Sequence, residues 1–483
     1  MAARLPQILN VVLAAVLLSA GPAWAEMAER LARHGLADAR VGFHLVDLAD
    51  GTPLATRSAD SPFMPASTVK LITATAAMGV LGPAHRFRTS LLATGQAADG
   101  ALAGDLYLKG GGDPLLAVQD LMALAEGLRA RGVKRITGEF HYDATALPSF
   151  PRIDAGQPAA APYNAGLSAL SLDFNRIRVR WETAGDGAAM AALSPAPGAG
   201  RIVAAETDPG AGRPFDPVPG GAADVWALAP RHLAAPTGEA ELPVHDPAPR
   251  TAEVFRDLAA ATGIELPAPT PGAAPANARA LASVESPPLA RLLRPALAHS
   301  NNVVSELLGL AAARKLMGRA PQSLQASSAA VLDWLAAEMG DLERRGLNLP
   351  NHSGLSAAAR VTPKQMLAVV RHWAGRRRTM ALLPAGGWRD SFSGRFRDPF
   401  VAGRVWGKTG TMHYATGMVG VLFGRTSGRR RAFALYLMDD AKRAAYDADP
   451  AREAAEAQAR AADWIERAKA LEEELAAHWV EAY

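Results

Sequence analysis

The sequence predicts an α/β (α+β) domain split by a long insertion. Three observations lead there. A strand pattern followed by an apolar helix pattern occupies residues 26–87. Short β-like pieces with frequent turn signals then run from about Arg88 to Ser286. Helical periodicity returns after that and ends in two apolar strands and a final helix. The flanking pieces, 26–87 and 286–483, are therefore expected to form one domain, with 88–285 inserted between them.

Residues 1–25 are expected to be an export signal. Arg4 supplies a positive start and Ile8 to Leu18 is mostly apolar. Ala23-Trp24-Ala25 is a small-x-small cleavage site, with Glu26 as the expected mature N-terminus. The apolar run falls short of the roughly 20 residues that span a bilayer. No later run reaches that length, so the processed chain is expected to be soluble.

Val41 to Leu48 alternates like a strand; Asp50-Gly51 marks a turn, and a short return strand follows. Thr68 to Leu81 reads as a helix, because Val69, Ile72, Ala76 and Val80 recur at helical spacing. In the insertion, Asp105 to Lys109 is β-like and precedes Gly110-Gly111-Gly112-Asp113-Pro114. Arg176 to Trp181 alternates as another strand. Residues 183–250 are rich in Ala, Gly and Pro, a composition that also suits disorder. Recurring β-like pieces favour a small β-subdomain with long loops.

Ala290 to Ala298, Val303 to Met317, Ala329 to Glu338 and Pro363 to Trp373 carry helical periodicity. Gly417 to Phe423 and Ala432 to Met438 are apolar strand candidates. A last helix is expected from about Ala451 to Trp479, burying Trp464, Ile465, Ala468, Leu471 and Leu475. No fixed-period repeat is visible.

The formal net charge is +4, and no basic stripe interleaves with aromatics. That argues against nucleic-acid binding. Arg376-Arg377-Arg378 and Arg429-Arg430-Arg431 read as solvated turns. The chain has no cysteine, hence no disulfide, thiol nucleophile or thiolate metal site.

Three short patterns carry chemistry: Ser67-Thr68-Val69-Lys70, Ser300-Asn301-Asn302 and Lys408-Thr409-Gly410, each occurring once. Ser67 and Lys70 are one helical turn apart and face the same way. A serine hydroxyl needs a base, and lysine serves only when its ammonium pKa is lowered by burial and a second cation. Lys408 is the candidate second cation. Ser300 is placed to relay a proton to a leaving amine, and Asn302 to bond both the lysine and a substrate amide. Gly410 would let a substrate backbone approach an edge strand closely. Lys408 and the Thr409 hydroxyl would hold a terminal carboxylate. The backbone N–H groups of Ser67 and Thr411 would form an oxyanion hole. Alone, each pattern reads as a helix cap or a polar turn. Their order and contexts together (helix start, interhelical loop, late strand) point to acyl transfer.

With these motifs the chain resembles the D-alanyl-D-alanine carboxypeptidase/endopeptidase family, the class C low-molecular-mass penicillin-binding proteins. Gly104 to Pro114, Pro162 to Ala165, Leu170 to Asn175 and Ser353-Gly354-Leu355-Ser356 with Arg360 to Pro363 are similar to further family segments. The resemblance implies the penicillin-binding protein/serine β-lactamase-like transpeptidase fold, with two small, mainly β subdomains in the insertion. It implies that Ser67 is acylated, Lys70 is the base, Ser300 and Asn302 assist, and Lys408, Thr409 and Gly410 bind substrate. The expected substrates are peptidoglycan stem peptides ending in D-Ala-D-Ala or cross-linked, with β-lactams as inhibitors. No metal and no cofactor are implied. The chain departs from the family pattern at Asn351-His352, Trp406-Gly407 and Arg389 to Phe392, none of which removes a catalytic group.

Two rival readings remain at this point: a serine β-lactamase, for which so long an insertion is atypical, and an inactive wall-binding relic, against which Ser67, Lys70 and Lys408 all stand. No Gly-x-Ser-x-Gly elbow and no His-Glu-x-x-His occurs. His299 and His413 border the second and third motifs and read as loop or strand residues rather than bases. Carboxypeptidase and endopeptidase share these motifs, and both readings stand.

Overall fold

The computed structural model describes residues 21–184, 187–194, 201–204, 215–217, 225–228, 236–375, 380–387 and 394–483. Most of the expected export signal, the Arg376 to Arg378 cluster and the Arg389 to Phe392 run lie outside the described residues, as do parts of the 183–250 stretch.

Helix α1 (Gly21–Arg33) precedes a hairpin of β1 (Arg40–Asp47) and β2 (Pro53–Arg57). Gly51 turns it at φ 78°, a region open to glycine. A 3-10 turn, Ala66–Val69, runs directly into α2 (Lys70–Val80). Every residue from Lys70 to Ala77 is buried. A helix apolar on all sides lies inside its domain.

The stretch 88–285 contains β3 (Arg88–Ala93), β4 (Ala97–Ala98), β5 (Ala101–Leu102), β6 (Leu106–Lys109), α3 (Val118–Arg129), β7 (Arg135–Ile136) and β8 (Phe140–Asp143). It continues with β9 (Arg176–Ala184), β10 (Gly187–Ser194), β11 (Arg201–Ala204), β12 (Phe215–Pro217), β13 (Val225–Leu228) and β14 (Thr237–Pro243). It ends with α4 (Pro247–Ala261), β15 (Pro269–Pro271) and β16 (Arg279–Glu285). One sheet has the order β15-β8-β6-β3-β16, and the order β10-β9-β14 forms another. Strands predominate, joined by two helices that the strand-like texture did not announce. Leu121, Leu124 and Leu128 of α3 and Phe255 of α4 share a core with Phe140 of β8. At Leu121, Leu124 and Leu128 the helical spacing is legible once the segment is isolated.

The chain then forms α5 (Leu289–His299), α6 (Asn302–Met317), α7 (Leu324–Met339) and α8 (Pro363–Gly375). After them come β17 (Val405–Met412), β18 (Ala415–Phe423), β19 (Arg430–Met438), α9 (Asp440–Ala448) and α10 (Ala455–Ala482). The main sheet is antiparallel, in the order β17-β18-β19-β1-β2. Strand β1 pairs with β19 from Arg40↔Met438 to Asp47↔Arg431, so an unbroken backbone ladder joins the two ends of the chain.

Residues alternate between the two faces of this sheet, as period-two strands require. Ala432, Ala434 and Tyr436 of β19 join α2 and the helices α5 to α8 in one core. Phe433, Leu435 and Leu437 join Val41, Phe43 and Leu45 of β1, together with α1 and α10, in the other. Trp464, Ala468, Leu471 and Leu475 are buried on α10, while Ile465 is only partly so. Among the described residues no helix is long and apolar enough to cross a membrane.

Trp464 is 1% exposed and meets Tyr414 edge-on at 5.8 Å. Trp464→Ala is expected to lower stability by about 3–5 kcal/mol. Urea unfolding would report this as a lower midpoint at unchanged slope. A loss under about 1 kcal/mol would show that α10 does not hold this face of the sheet.

Candidate active site

Ser67 lies in the 3-10 turn ahead of α2, and the turn is braced from three sides. Its Thr68 hydroxyl donates to Pro65 O at 2.8 Å and lies 2.9 Å from the Tyr436 hydroxyl of β19. Phe63 and Val361 exchange backbone hydrogen bonds just upstream. Ala66 is held at φ 45°, a conformation costing an L residue of order 1–3 kcal/mol.

Two glycines allow other segments to reach this turn. A Cβ on Gly354 would fall 1.9 Å from Ala66 O, and one on Gly410 would fall 2.4 Å from Pro65 O. The glycine of the third motif is thus demanded by its contact with the serine turn.

Lys70 Nζ lies 2.7 Å from Ser67 Oγ, 2.7 Å from Asn302 Oδ1 and 2.8 Å from Ser353 O. A neutral amine has two N–H bonds for Asn302 and Ser353 and a lone pair for the Ser67 O–H. The side chain is fully enclosed. Burial holds its pKa well below the ordinary lysine value; Lys408 pushes it further down, and Glu306 opposes them. Lys408 is also buried, donates to Thr409 O at 2.6 Å, and is pushed down to about 7 by desolvation.

The second motif divides its work. Ser300 ends α5 in the left-handed region at φ 55°. The Asn301 side chain caps α6 by accepting from Val304 N, so the capping explanation holds for that residue. Asn302 begins α6; its Nδ2 donates to Tyr163 O, in the insertion, at 2.9 Å. Tyr163 therefore meets the same amide that bonds Lys70.

Strand β17 is the sheet edge. Gly407 N donates to Pro384 O, and Val405 O accepts from Gly386 N, both on the side away from β18. Backbone direction alternates along a strand, so the N–H groups of Thr409 and Thr411 point off the same edge. A cleft of about 410 Å³ opens there. Its walls include Ser67, Tyr163, Ser300, Asn302, Gly354 and Thr411, with Met412 and His413 at the β17–β18 turn. Lys70 and Lys408 are buried behind those walls.

Sequence reasoning missed Glu306. It is fully buried on α6 and accepts from His352 N at 3.0 Å and Ser353 N at 2.7 Å. It therefore holds the peptide segment whose next carbonyl, Ser353 O, accepts from Lys70. Burial pushes its carboxyl up to about 7. The available signal was an acidic residue four places after Asn302 on an apolar helix, hence on the same face. His352, where the sequence departs from the family pattern, is buried, pushed down to about 3 and bonded to Ser327 Oγ at 2.7 Å. His413 stacks on Tyr446 at 4.3 Å and lies 3.0 Å from Gln458 Oε1. His299 lies in the wall of a different cavity. Among the described residues no group of three or more His, Cys, Asp or Glu could hold a metal ion.

The model of the D-Ala-D-Ala carboxypeptidase 3 (S13) family matches residues 23–459. A D-alanyl-D-alanine carboxypeptidase of Actinomadura sp. is 29% identical over 426 residues, covering 79% of this chain and 75% of that protein. A carboxypeptidase of Mycobacterium tuberculosis is 28% identical over 411 residues, covering 81% of this chain and 74% of that one. The crystal structure of penicillin binding protein 4 from Haemophilus influenzae superposes with a TM-score of 0.75 at 23% identity, covering 86% of this chain and 93% of that one. The last likeness concerns the fold, which is that of a penicillin-binding protein. With the family match running from the first described helix into α10, the chain belongs to the D-Ala-D-Ala carboxypeptidase 3 (S13) family and is a serine-type carboxypeptidase.

Proposed function

We propose that this enzyme cleaves the terminal D-Ala–D-Ala bond of peptidoglycan stem peptides, and the related cross-link, through an acyl-enzyme on Ser67. The observation that carries this reading is Lys70 Nζ 2.7 Å from Ser67 Oγ, in surroundings that favour the free amine. Lys70 takes the serine proton as Oγ attacks the carbonyl carbon of the penultimate residue. The oxyanion is received by the backbone N–H groups of Ser67 and Thr411. Loss of one such donor typically costs about 100- to 1000-fold in rate. Ser300 relays that proton from Lys70 to the leaving amine, which leaves Ser300 protonated and Lys70 as the free amine, and the terminal residue departs. Water then attacks the ester with Lys70 again as base, releasing the shortened peptide and restoring Ser67. Lys408 and Thr409 hold the terminal carboxylate, Asn302 bonds a substrate amide, and Gly410 admits the substrate backbone.

Residues 26–87 and 286–483 make up the catalytic domain, and 88–285 form the inserted subdomains. Residues 1–25 direct export to the periplasm or cell envelope, where such a substrate lies.

Benzylpenicillin is expected to leave one penicilloyl adduct on the wild type and none on Ser67→Ala, read by intact-protein mass. Rapid Ser67-dependent penicillin turnover would move the reading to a β-lactamase. Neither adduct nor turnover would sink it.

Ionised Glu306 favours the protonated form of Lys70. In Glu306→Gln the acid limb of the acylation pH–rate profile should move to lower pH. Its plateau should fall roughly tenfold, as a backbone N–H loses a charged acceptor. A reduced plateau with an unmoved limb would assign Glu306 a purely structural role.

Lys408 titrates near 7 in the folded chain against an ordinary value of 10.5. Between those values the unfolded chain binds the extra proton. This group therefore makes stability rise with pH by up to about 1.4 kcal/mol per pH unit. Lys408→Met should remove that slope, raise stability at pH 7 and abolish peptidase activity. Equal slopes for both proteins in urea unfolding at pH 7, 8 and 9 would refute the buried-lysine account.

A further inference from the structure

A second cavity, about 510 Å³, lies on the other side of the α5–α6 junction. The junction residues alternate between the two openings. Ser300 and Asn302 line the catalytic cleft, and His299 and Asn301 line the second cavity. Its far wall comes from the insertion, through Phe174, Arg176 and Arg178 ahead of and along β9, and Glu241 of β14. The volume falls within the range of about 300–1,000 Å³ usual for small-ligand sites.

The wall contains a run of unusual backbone. Asp173, Phe174 and Asn175 have φ of 45°, 57° and 55°, three consecutive left-handed residues without a glycine. Each costs of order 1–3 kcal/mol and persists only where its surroundings over-determine it. Here they do. Asp173 N donates to Leu116 O, Asn175 N to Leu172 O, and Val244 N to Asn175 O. Asn175 Nδ2 donates to Gly166 O at 2.7 Å and to Ser171 Oγ at 3.1 Å. The result is that Phe174 stands in the cavity wall, 38% exposed, between buried Leu172 and buried Asn175. Nothing in the acyl-transfer mechanism uses this turn.

The charges around it are of both signs. Arg176 pairs with Glu241 at 2.8 Å and Arg178 approaches the same carboxylate at 3.9 Å. Asp173 adds a carboxyl whose pKa is raised by burial. A wall that mixes both signs is no anion trap. It offers hydrogen-bond donors and acceptors beside an aromatic face, over apolar Leu115, Pro295 and Ala296. That combination suits a neutral polyhydroxylated ring, whose C–H face stacks on phenyl while its hydroxyls meet the polar groups.

We propose that this cavity is a carbohydrate subsite for the glycan strand that carries the stem peptide. The inference rests on the peptidase reading above: one polymeric substrate then occupies both sides of the α5–α6 junction, peptide in the catalytic cleft and sugar in the second cavity. It makes Phe174 a specificity residue for glycan-linked peptide over free peptide.

The test compares two substrates with the same peptide, one free and one attached to its N-acetylglucosaminyl-N-acetylmuramyl disaccharide. Phe174→Ala is expected to lower kcat/KM about five- to tenfold on the disaccharide substrate, the effect of one lost ring contact. The free peptide should be cleaved at the wild-type rate. Arg178→Ala, on an exposed side chain, should show the same selectivity with no demand on the strained turn. Equal losses on both substrates, or no loss on either, would overturn the proposal. Saturation-transfer NMR with the peptide-free disaccharide reads the subsite without catalysis. Contact with the wild type but not with Phe174→Ala supports it, and equal or absent contact overturns it. Failure of the wild type on free peptide, with disaccharide contact intact, would count against the peptidase reading and not against the subsite.

Discussion

A lysine amino group is enclosed at the centre of this protein, and three segments far apart in sequence must meet to satisfy it. Ser67 Oγ is one turn away, but Asn302 lies 232 residues downstream and Ser353 lies 283. An enclosed amine without partners would cost several kcal/mol. These contacts are therefore a folding constraint. Helix α6, the 351–354 segment and the start of α2 are arranged so that Lys70 is bonded to Asn302 and Ser353 while lying 2.7 Å from the serine hydroxyl. The ladder between β1 and β19 joins residues 40–47 to residues 431–438 in the sheet that packs against these segments.

The inserted residues also take part. Tyr163 O accepts from the same Asn302 amide whose oxygen bonds Lys70. Asp173 to Asn175 and the start of β9 form the wall facing the α5–α6 junction. Residues 163 and 173–178 thus meet the second motif from its two cavities, and Asn301 of that motif also caps α6. Strained backbone occurs in the same region. Ala66, Ser300 and the 173–175 turn all hold left-handed backbone without glycine. Such strain is retained where the position of a side chain or a backbone N–H matters more than local stability.

The sequence was most legible where a side-chain type and a period coincide. Helices α5, α6 and α8 follow from apolar spacing, and so does the buried face of α10. Strands β18 and β19 read as apolar runs because both of their faces are covered. Helices α3 and α4 were hidden: they sit among short strands and loops, and the surrounding Gly, Pro and Ala set the local texture. Glu306 was hidden for a different reason. A single acidic residue on an apolar helix carries no motif, and its importance comes from two backbone N–H groups at His352 and Ser353 that composition does not record.

By itself the sequence determined which groups are present and in what order: a serine and lysine one helical turn apart, a Ser-Asn-Asn triplet between helices, and a Lys-Thr-Gly triplet before the last strands. These depend on side-chain identity and short-range geometry, which sequence encodes directly. Only the tertiary structure decided the acceptor at Ser353 O, the outward N–H of Thr411, the approach of Gly354 and Gly410 to the serine turn, and the second cavity beside Phe174. Each of these is a direction or a distance between backbones remote in sequence. Such quantities exist only after the chain has closed on itself.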